Sequence, residues 1–240
     1  MKHFLNVVLI LSVVLSLAVC GVYAKGNVYI TPADIDLTRL LPPPPAQESA
    51  ETKKEIEELL DFQKNRDHKM QIYAFDDQDI NVFRFADTLG KNFTKEKLPV
   101  TAKFFEEVVN TDSDIVEPAK DYWKRPRPSE YDSRINPCVT VPPGSQPGTF
   151  NPAYPSGHST ADNLMAIILA NMVPEKSAKI YNRGWEFAVN RIIGGVHYRS
   201  DVEAGRISAA VIAALLFKDK EFMKDYEKSK AEVRNVLGYK

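Results

Sequence analysis

The chain is poor in cysteine, with Cys20 and Cys138 as the only two in 240 residues. That excludes a disulfide scaffold and a Cys-rich zinc site, so stability has to come from packing. An excess of either charge is also missing: 31 Lys and Arg stand against 32 Asp and Glu, for a formal charge of −1. A general attraction to nucleic acid or to an anionic membrane is thereby excluded, and any anion site must be local. Beyond Val19 there is no long apolar run; Leu164–Ala170 and Ile207–Phe217 fall short of the roughly 20 residues that cross a bilayer and read as core helices. Neither an alternation of period two nor an internal repeat is present. What is there, 44% hydrophobic and 26% charged residues, is the composition of one globular domain with a sizeable core.

The N-terminus reads as an export signal. Lys2 and His3 precede an apolar stretch from Phe4 to Val19, and Val22-Tyr23-Ala24 places small residues at the two positions signal peptidase reads. Residues 1–24 are expected to be a signal peptide cleaved after Ala24, with the product in the periplasm or secreted. As a spanning anchor the run is too short and holds Asn6, and Val19 is bulkier than the residue expected before a lipidated Cys20. Cleavage leaves Cys138 alone, without an internal disulfide partner. Residues 25–50 hold Pro32 and Pro42–Pro45, which fix φ and remove donors, so this leader is expected to be extended and to lie as a strap over the domain.

Residues 51–240 are expected to be an all-α single domain. Helical spacing links Ile56, Leu59, Leu60 and Phe62, then Val82, Phe83, Phe85 and Leu89, then Phe104, Phe105, Val108 and Val109. A helix ending near Lys124 is followed by a long connecting loop, since residues 125–155 contain eight prolines. Further helices are expected at about 159–172, 175–193, 201–217 and 220–237.

Three clusters carry polar chemistry. In "AYPSGHSTAD", Pro155 and Gly157 shape a turn before a helix begun by Ser159 or Thr160, so that the N–H groups of Ser156, Gly157 and His158 converge near the positive helix end, a place that binds anions. Taken alone it is equally a Ser156 cap beside a surface His158. In "AKDYWKRPRP", Lys120 stands seven residues before Arg127, and flanking prolines keep Arg127 extended; the plain reading is a basic helix end. In "VNRIIGGVHYRSD", Arg191 precedes His197 by six residues and His197 precedes Asp201 by four. Gly194 and Gly195 end one helix, Ser200 with Glu203 matches a capping box for the next, and Asp201 comes within reach of one His197 nitrogen. A structural His–Asp pair is the plain alternative.

Read together as Lys-x6-Arg-Pro, Pro-Ser-Gly-His and Arg-x5-His-x3-Asp, these segments resemble the three-part signature of the type 2 phosphatidic acid phosphatase and vanadium haloperoxidase superfamily. "ITPADIDLTRLLPPPP" and "GVHYRSDVEAGR" resemble the corresponding stretches of secreted bacterial class A non-specific acid phosphatases. The resemblance implies a helical bundle of that superfamily's kind, a metal-independent phosphatase without cofactors, and broad specificity for small phosphate monoesters, with phosphoryl transfer to alcohols as an added activity. It also implies roles. Lys120, Arg127, Arg191, Ser156 and Gly157 would hold phosphate, His197 would be the nucleophile that becomes phosphohistidine, Asp201 would orient it, and His158 would protonate the leaving group. No metal ligand, no nucleic-acid partner and no stable membrane insertion after cleavage are implied, and a homo-oligomer is compatible with the sequence. The chain departs from the pattern at Asn190, where the family commonly has serine, leaving a phosphate contact from that position open. A vanadium-dependent haloperoxidase on the same ligand set, and a non-enzymatic phosphate-binding protein, are the alternatives.

Overall fold

The computed structural model describes residues 28–140 and 151–240; the expected signal peptide, Cys20, and the middle of the loop after Arg125 lie outside them. Among the described residues the chain is all-α, as the spacing predicts. The elements run α1 (Leu37–Leu40), α2 (Ala50–Asn65), α3 (His68–Asp76), a 3₁₀ turn (Val82–Phe85) leading into α4 (Ala86–Leu89), α5 (Pro99–Trp123), α6 (Pro128–Tyr131), α7 (Gly157–Met172), a 3₁₀ turn (Pro174–Lys176), α8 (Ser177–Ile193), α9 (Arg199–Leu216) and α10 (Lys220–Leu237). None of these helices is long and apolar enough to cross a membrane.

Helix starts follow local chemistry. Ser49, Asp67 and Asp219 each accept a backbone N–H of the first turn of α2, α3 and α10. Helix α5 starts with Pro99 and has no cap of its own. Its Val100 and Thr101 N–H groups are taken by the Glu232 carboxylate of α10 at 3.2 and 2.8 Å, which fixes the two helices end against side. It stops where Lys124 turns left-handed at φ 51°, just before Pro126.

Helix α7 is the hub. Apart from Gly157, His158 and Ile167 every residue of Gly157–Ala170 is buried, and its most extensive contacts are with α8 and α9. Both neighbours come in over a glycine. A Cβ on Gly184 of α8 would stand 2.6 Å from the Ala166 Cβ, and one on Gly205 of α9 would stand 2.6 Å from the Ser156 carbonyl oxygen and 2.7 Å from the Ser159 Cβ. These contacts leave no room for any side chain. The main core gathers Leu164, Met165, Ile168 and Leu169 of α7 with Phe85, Phe105, Phe187, Ile212 and Phe222.

The described part of the leader, from Val28, is not extended throughout. Asp36 accepts the Thr38 N–H at 2.9 Å and sets up the single helical turn of α1, a cap that the proline-led reading passed over. Leu37 and Leu41 bury into the core, and Tyr29 packs against Phe104 and Phe222. Farther on, Tyr154 Oη donates to the Pro42 carbonyl at 2.5 Å, pinning the proline run.

Two expected helix starts need correction. Helix α7 begins at Gly157, because Ser156 accepts the Ser159 N–H at 3.2 Å and is itself the cap. Helix α9 begins at Arg199, because the Asp201 carboxylate turns back to the Tyr198 N–H at 2.9 Å; Ser200 lies inside the first turn and is not its cap.

Candidate active site

Five backbone segments bring the polar clusters to one place. The end of α5 carries Lys120, the chain after it carries Arg125 and Arg127, the start of α7 carries Ser156, Gly157 and His158, and the end of α8 carries Asn190 and Arg191. The fifth is the turn into α9, where Gly195 adopts φ +80°, a conformation open to glycine, before His197. Turn and helix start are tied directly, since the Ser156 N–H donates to the Asp201 carbonyl at 3.0 Å. That N–H is therefore spent on structure, contrary to the expectation that it faces the anion spot. The N–H groups of Gly157 and His158 remain as the first of the helix, where no intrahelical acceptor exists. Lys120 lies alongside, its Cε 3.7 Å from where a Gly157 Cβ would be.

Three buried cations meet here. Lys120 Nζ donates to the Pro152 carbonyl at 3.2 Å. Arg127 donates through Nε to the Asn151 carbonyl at 3.0 Å, through Nη2 to Asn151 Oδ1 at 2.7 Å and through Nη1 to the Val196 carbonyl at 2.8 Å. Arg191 is 1% exposed, yet its Nε and Nη1 have no partner among the described residues. A buried guanidinium with idle donors is costly unless an anion completes it. Burial, and then the neighbouring Arg127, push Lys120 down to about 8 and Arg191 down to about 10. Positive charge is thus crowded into a hole that a dianion would neutralise.

Two imidazoles border the cations. His197 Nε2 lies 2.7 Å from Arg127 Nη1, and Nδ1 lies 3.3 Å from Asp201 Oδ2. A guanidinium only donates, so Nε2 presents its lone pair and Nδ1 carries the hydrogen toward Asp201. His158 Nε2 is 3.0 Å from the Gln78 carbonyl; a carbonyl only accepts, so Nε2 carries the hydrogen there and Nδ1 is the nitrogen left to exchange a proton. Burial holds both rings well below the ordinary imidazole value, joined first by Arg191 at His158 and by Arg127 at His197. At His197 burial and the neighbouring cations outweigh the nearby Asp201 carboxylate.

Asn190 is committed elsewhere. Its Nδ2 donates to Asp77 Oδ2 at 2.7 Å, and Asp77 also receives Arg84 Nη2 at 2.7 Å and both Arg183 Nη groups at 2.9 Å. Asp77 immediately precedes Gln78, the residue that holds His158. Glu55, Asp77 and Arg125 escaped the reading from sequence. Arg125 stands in the same basic run as Arg127 but was counted as helix-end charge, and nothing local marks Glu55 or Asp77. Among the described residues no group of three His, Cys, Asp or Glu is placed to hold a metal ion.

Residues 106–223 match the PAP2 superfamily, a span that contains all three clusters. The acid phosphatase of Zymomonas mobilis is 34% identical over 152 residues, covering 63% of this chain and 56% of that protein, so the match spans little more than half of that relative's length. The non-specific acid phosphatase of Salmonella typhimurium is 29% identical over 205 residues, covering 83% of this chain and 79% of that protein. Among solved structures, a transmembrane PAP2-type phosphatidylglycerolphosphate phosphatase of Bacillus subtilis aligns with a TM-score of 0.47 at 15% identity, over 75% of this chain and 88% of that one.

Proposed function

Residues 106–223 match the PAP2 superfamily, and on that premise we propose that the protein is a metal-independent acid phosphatase that hydrolyses small phosphate monoesters through a phosphohistidine on His197. The observation that carries this reading is the crowding of Lys120, Arg127 and Arg191 around the His197 Nε2 lone pair, with two Arg191 donors idle.

The phosphate dianion takes up those donors together with the Gly157 and His158 N–H groups and the Ser156 hydroxyl. Charge on the equatorial oxygens is then met by fixed cations and a helix start, the task a divalent ion serves in other phosphoryl-transfer sites. Arg127 Nη1 shifts from Nε2 to a phosphate oxygen, and Nε2 attacks phosphorus in line with the leaving alkoxide. Asp201 holds the Nδ1–H and stabilises the ring as it becomes cationic. The dianion lifts His158 out of its depressed state, so its Nδ1 can carry a proton to the leaving oxygen; afterwards the same nitrogen takes a proton from the water that cleaves the P–N bond. An alcohol in place of that water gives phosphoryl transfer. The leader pattern of residues 1–24 supports export, with action in the periplasm or outside the cell.

Rapid alkaline quenching during turnover of a radiolabelled ester tests the reading. Label held in an acid-labile, alkali-stable form on His197 is the expected result, and label on Ser156 overturns the assignment. Activity that vanishes with chelator and returns with magnesium or zinc would overturn metal independence.

A further inference from the structure

Arg125 sits behind the site, buried, with both of its Nη groups in use. Nη1 donates to Asp201 Oδ1 at 2.6 Å and to Ser200 Oγ at 2.7 Å, and Nη2 donates to Glu55 Oε2 at 2.8 Å. The guanidinium carbon lies 3.8 Å from the centre of the Tyr198 ring, a stacked cation–π contact. Glu55 turns its other oxygen to the Ser200 N–H at 2.6 Å, so one carboxylate from α2 holds both the guanidinium and the first turn of α9. Asp201 is divided in consequence. Its Oδ1 is bound by Arg125, and its Oδ2 receives the Tyr198 N–H at 2.9 Å and faces His197 Nδ1 at 3.3 Å.

We propose that Arg125, anchored by Glu55, is a positioning residue for phosphoryl transfer: it locks Asp201 so that only Oδ2 meets the His197 Nδ1–H, and so aims Nε2 at phosphorus. The inference rests on the reading of His197 as nucleophile. A carboxylate bound through one oxygen could rotate about its last bond and offer the imidazole either oxygen at varying angles; bound on both sides it cannot. No bond to Arg125 forms or breaks. As Nε2 bonds to phosphorus the ring gains positive charge, and the fixed Oδ2 meets it without rearrangement.

The surroundings of Asp201 support a second effect of the same contact. Burial raises its carboxyl above the ordinary range, and Arg125 is the main group opposing that rise. The other titratable groups in electrostatic reach are Glu55 of α2, Lys120 of α5, Arg127, Tyr154, and His197 with Tyr198 of the turn. Among the cations of the described residues Arg125 alone bonds the carboxylate directly, so its removal lets Asp201 take up a proton at higher pH.

The test uses the full chain with Arg125→Gln, Arg125→Lys and Glu55→Gln, assayed on p-nitrophenyl phosphate across pH, alongside inorganic phosphate binding by calorimetry and NMR of the His197 Nδ1–H. Arg125→Gln is expected to lose kcat by about 10- to 100-fold, the range typical when a partner orienting a working group is removed, while still binding phosphate. Its acid limb should move to higher pH, and the Nδ1–H resonance should shift or broaden into exchange. Arg125→Lys should restore the acid limb but not the full kcat, because an ammonium supplies charge without the two-pronged geometry. Glu55→Gln should lower kcat and disturb the resonance the same way but less, while its acid limb should not move up, because the Glu55 charge itself raises the Asp201 carboxyl. A folded Arg125→Gln with the original acid limb and an unchanged resonance, or a folded Glu55→Gln with unchanged kcat and resonance, overturns the proposal, and if Arg125→Gln fails to fold, Glu55→Gln decides it. Should the native protein hydrolyse no phosphate ester, the phosphatase reading falls, and the resonance still decides whether Arg125 fixes Asp201.

Discussion

His197 and His158 border the same three cations, yet unlike partners hold them. Behind His197 stands a carboxylate, Asp201, itself gripped by Arg125. Behind His158 stands an uncharged backbone carbonyl, that of Gln78, next to a carboxylate that serves Arg84, Arg183 and Asn190 instead. The carboxylate suits a ring that must carry positive charge through a covalent intermediate. The carbonyl fixes a ring's orientation while leaving its charge to whatever enters the site. In this molecule a formal charge backs the ring assigned to attack, and a dipole backs the ring assigned to proton transfer.

The largest expected effect comes from breaking the comparison on the His197 side. His197→Ala should cost on the order of 10⁶ in kcat, as loss of a nucleophile does elsewhere, and calorimetry should still detect phosphate binding. Asp201→Asn should leave the fold near intact by circular dichroism but lower kcat by about 10⁴, since an amide favours the wrong tautomer.

On the other side, His158→Ala should cost about 10²–10⁴, and the size should depend on the leaving group. An alkyl phosphate needs its departing oxygen protonated and should suffer most; p-nitrophenyl phosphate, whose phenolate leaves unaided, should suffer least. Equal losses on both esters would count against His158 as the acid.

Proton linkage gives a weaker but sharper contrast. In the unliganded fold His158 lies well below its unfolded value of about 6.5, so below that pH the unfolded chain binds a proton that the native state refuses. The stability that neutral His158 contributes is therefore full above about 6.5 and is lost as pH falls toward the folded value. Asp112 and Asp162, which burial pushes well above the carboxylate range, act with the opposite sign, so the effect is read as a difference. Thermal melts from about pH 7.5 to about pH 5.5 should show the native protein losing ground to His158→Asn as pH falls, and saturating phosphate should shrink that loss. The smallest effect is expected at Asn190→Ser. It removes one of the bonds to Asp77, worth about 1 kcal/mol of stability, and should leave KM almost unmoved because Asn190 faces Asp77.

The helical class was legible from spacing, and so was the inside of each cluster at residues 120–128, 155–158 and 191–201, because each is local. The side chains of a cluster are fixed by one helix end or one turn, and spacing along the chain encodes that directly. That the three meet was legible only through the resemblance to the phosphatase signature. Helix starts were less legible. A search for Ser or Thr caps finds Ser200, whereas Asp201 reaches back to the Tyr198 N–H and moves the start. The supporting layer was not legible at all. Glu55 meets Arg125 across 70 positions and Asn190 meets Asp77 across 113, so only the packed fold reveals that a charge on α2 stands behind Asp201.

Gly184 and Gly205 bear on how this protein tolerates change. Since α8 and α9 come over α7 with bare Cα atoms set against the Ala166 Cβ, the Ser156 carbonyl and the Ser159 Cβ, the distance between the two halves of the site depends on these two positions carrying no side chain. At these two positions even alanine acts as a wedge, and a mutational scan should find them as intolerant as the histidines, although neither glycine touches substrate.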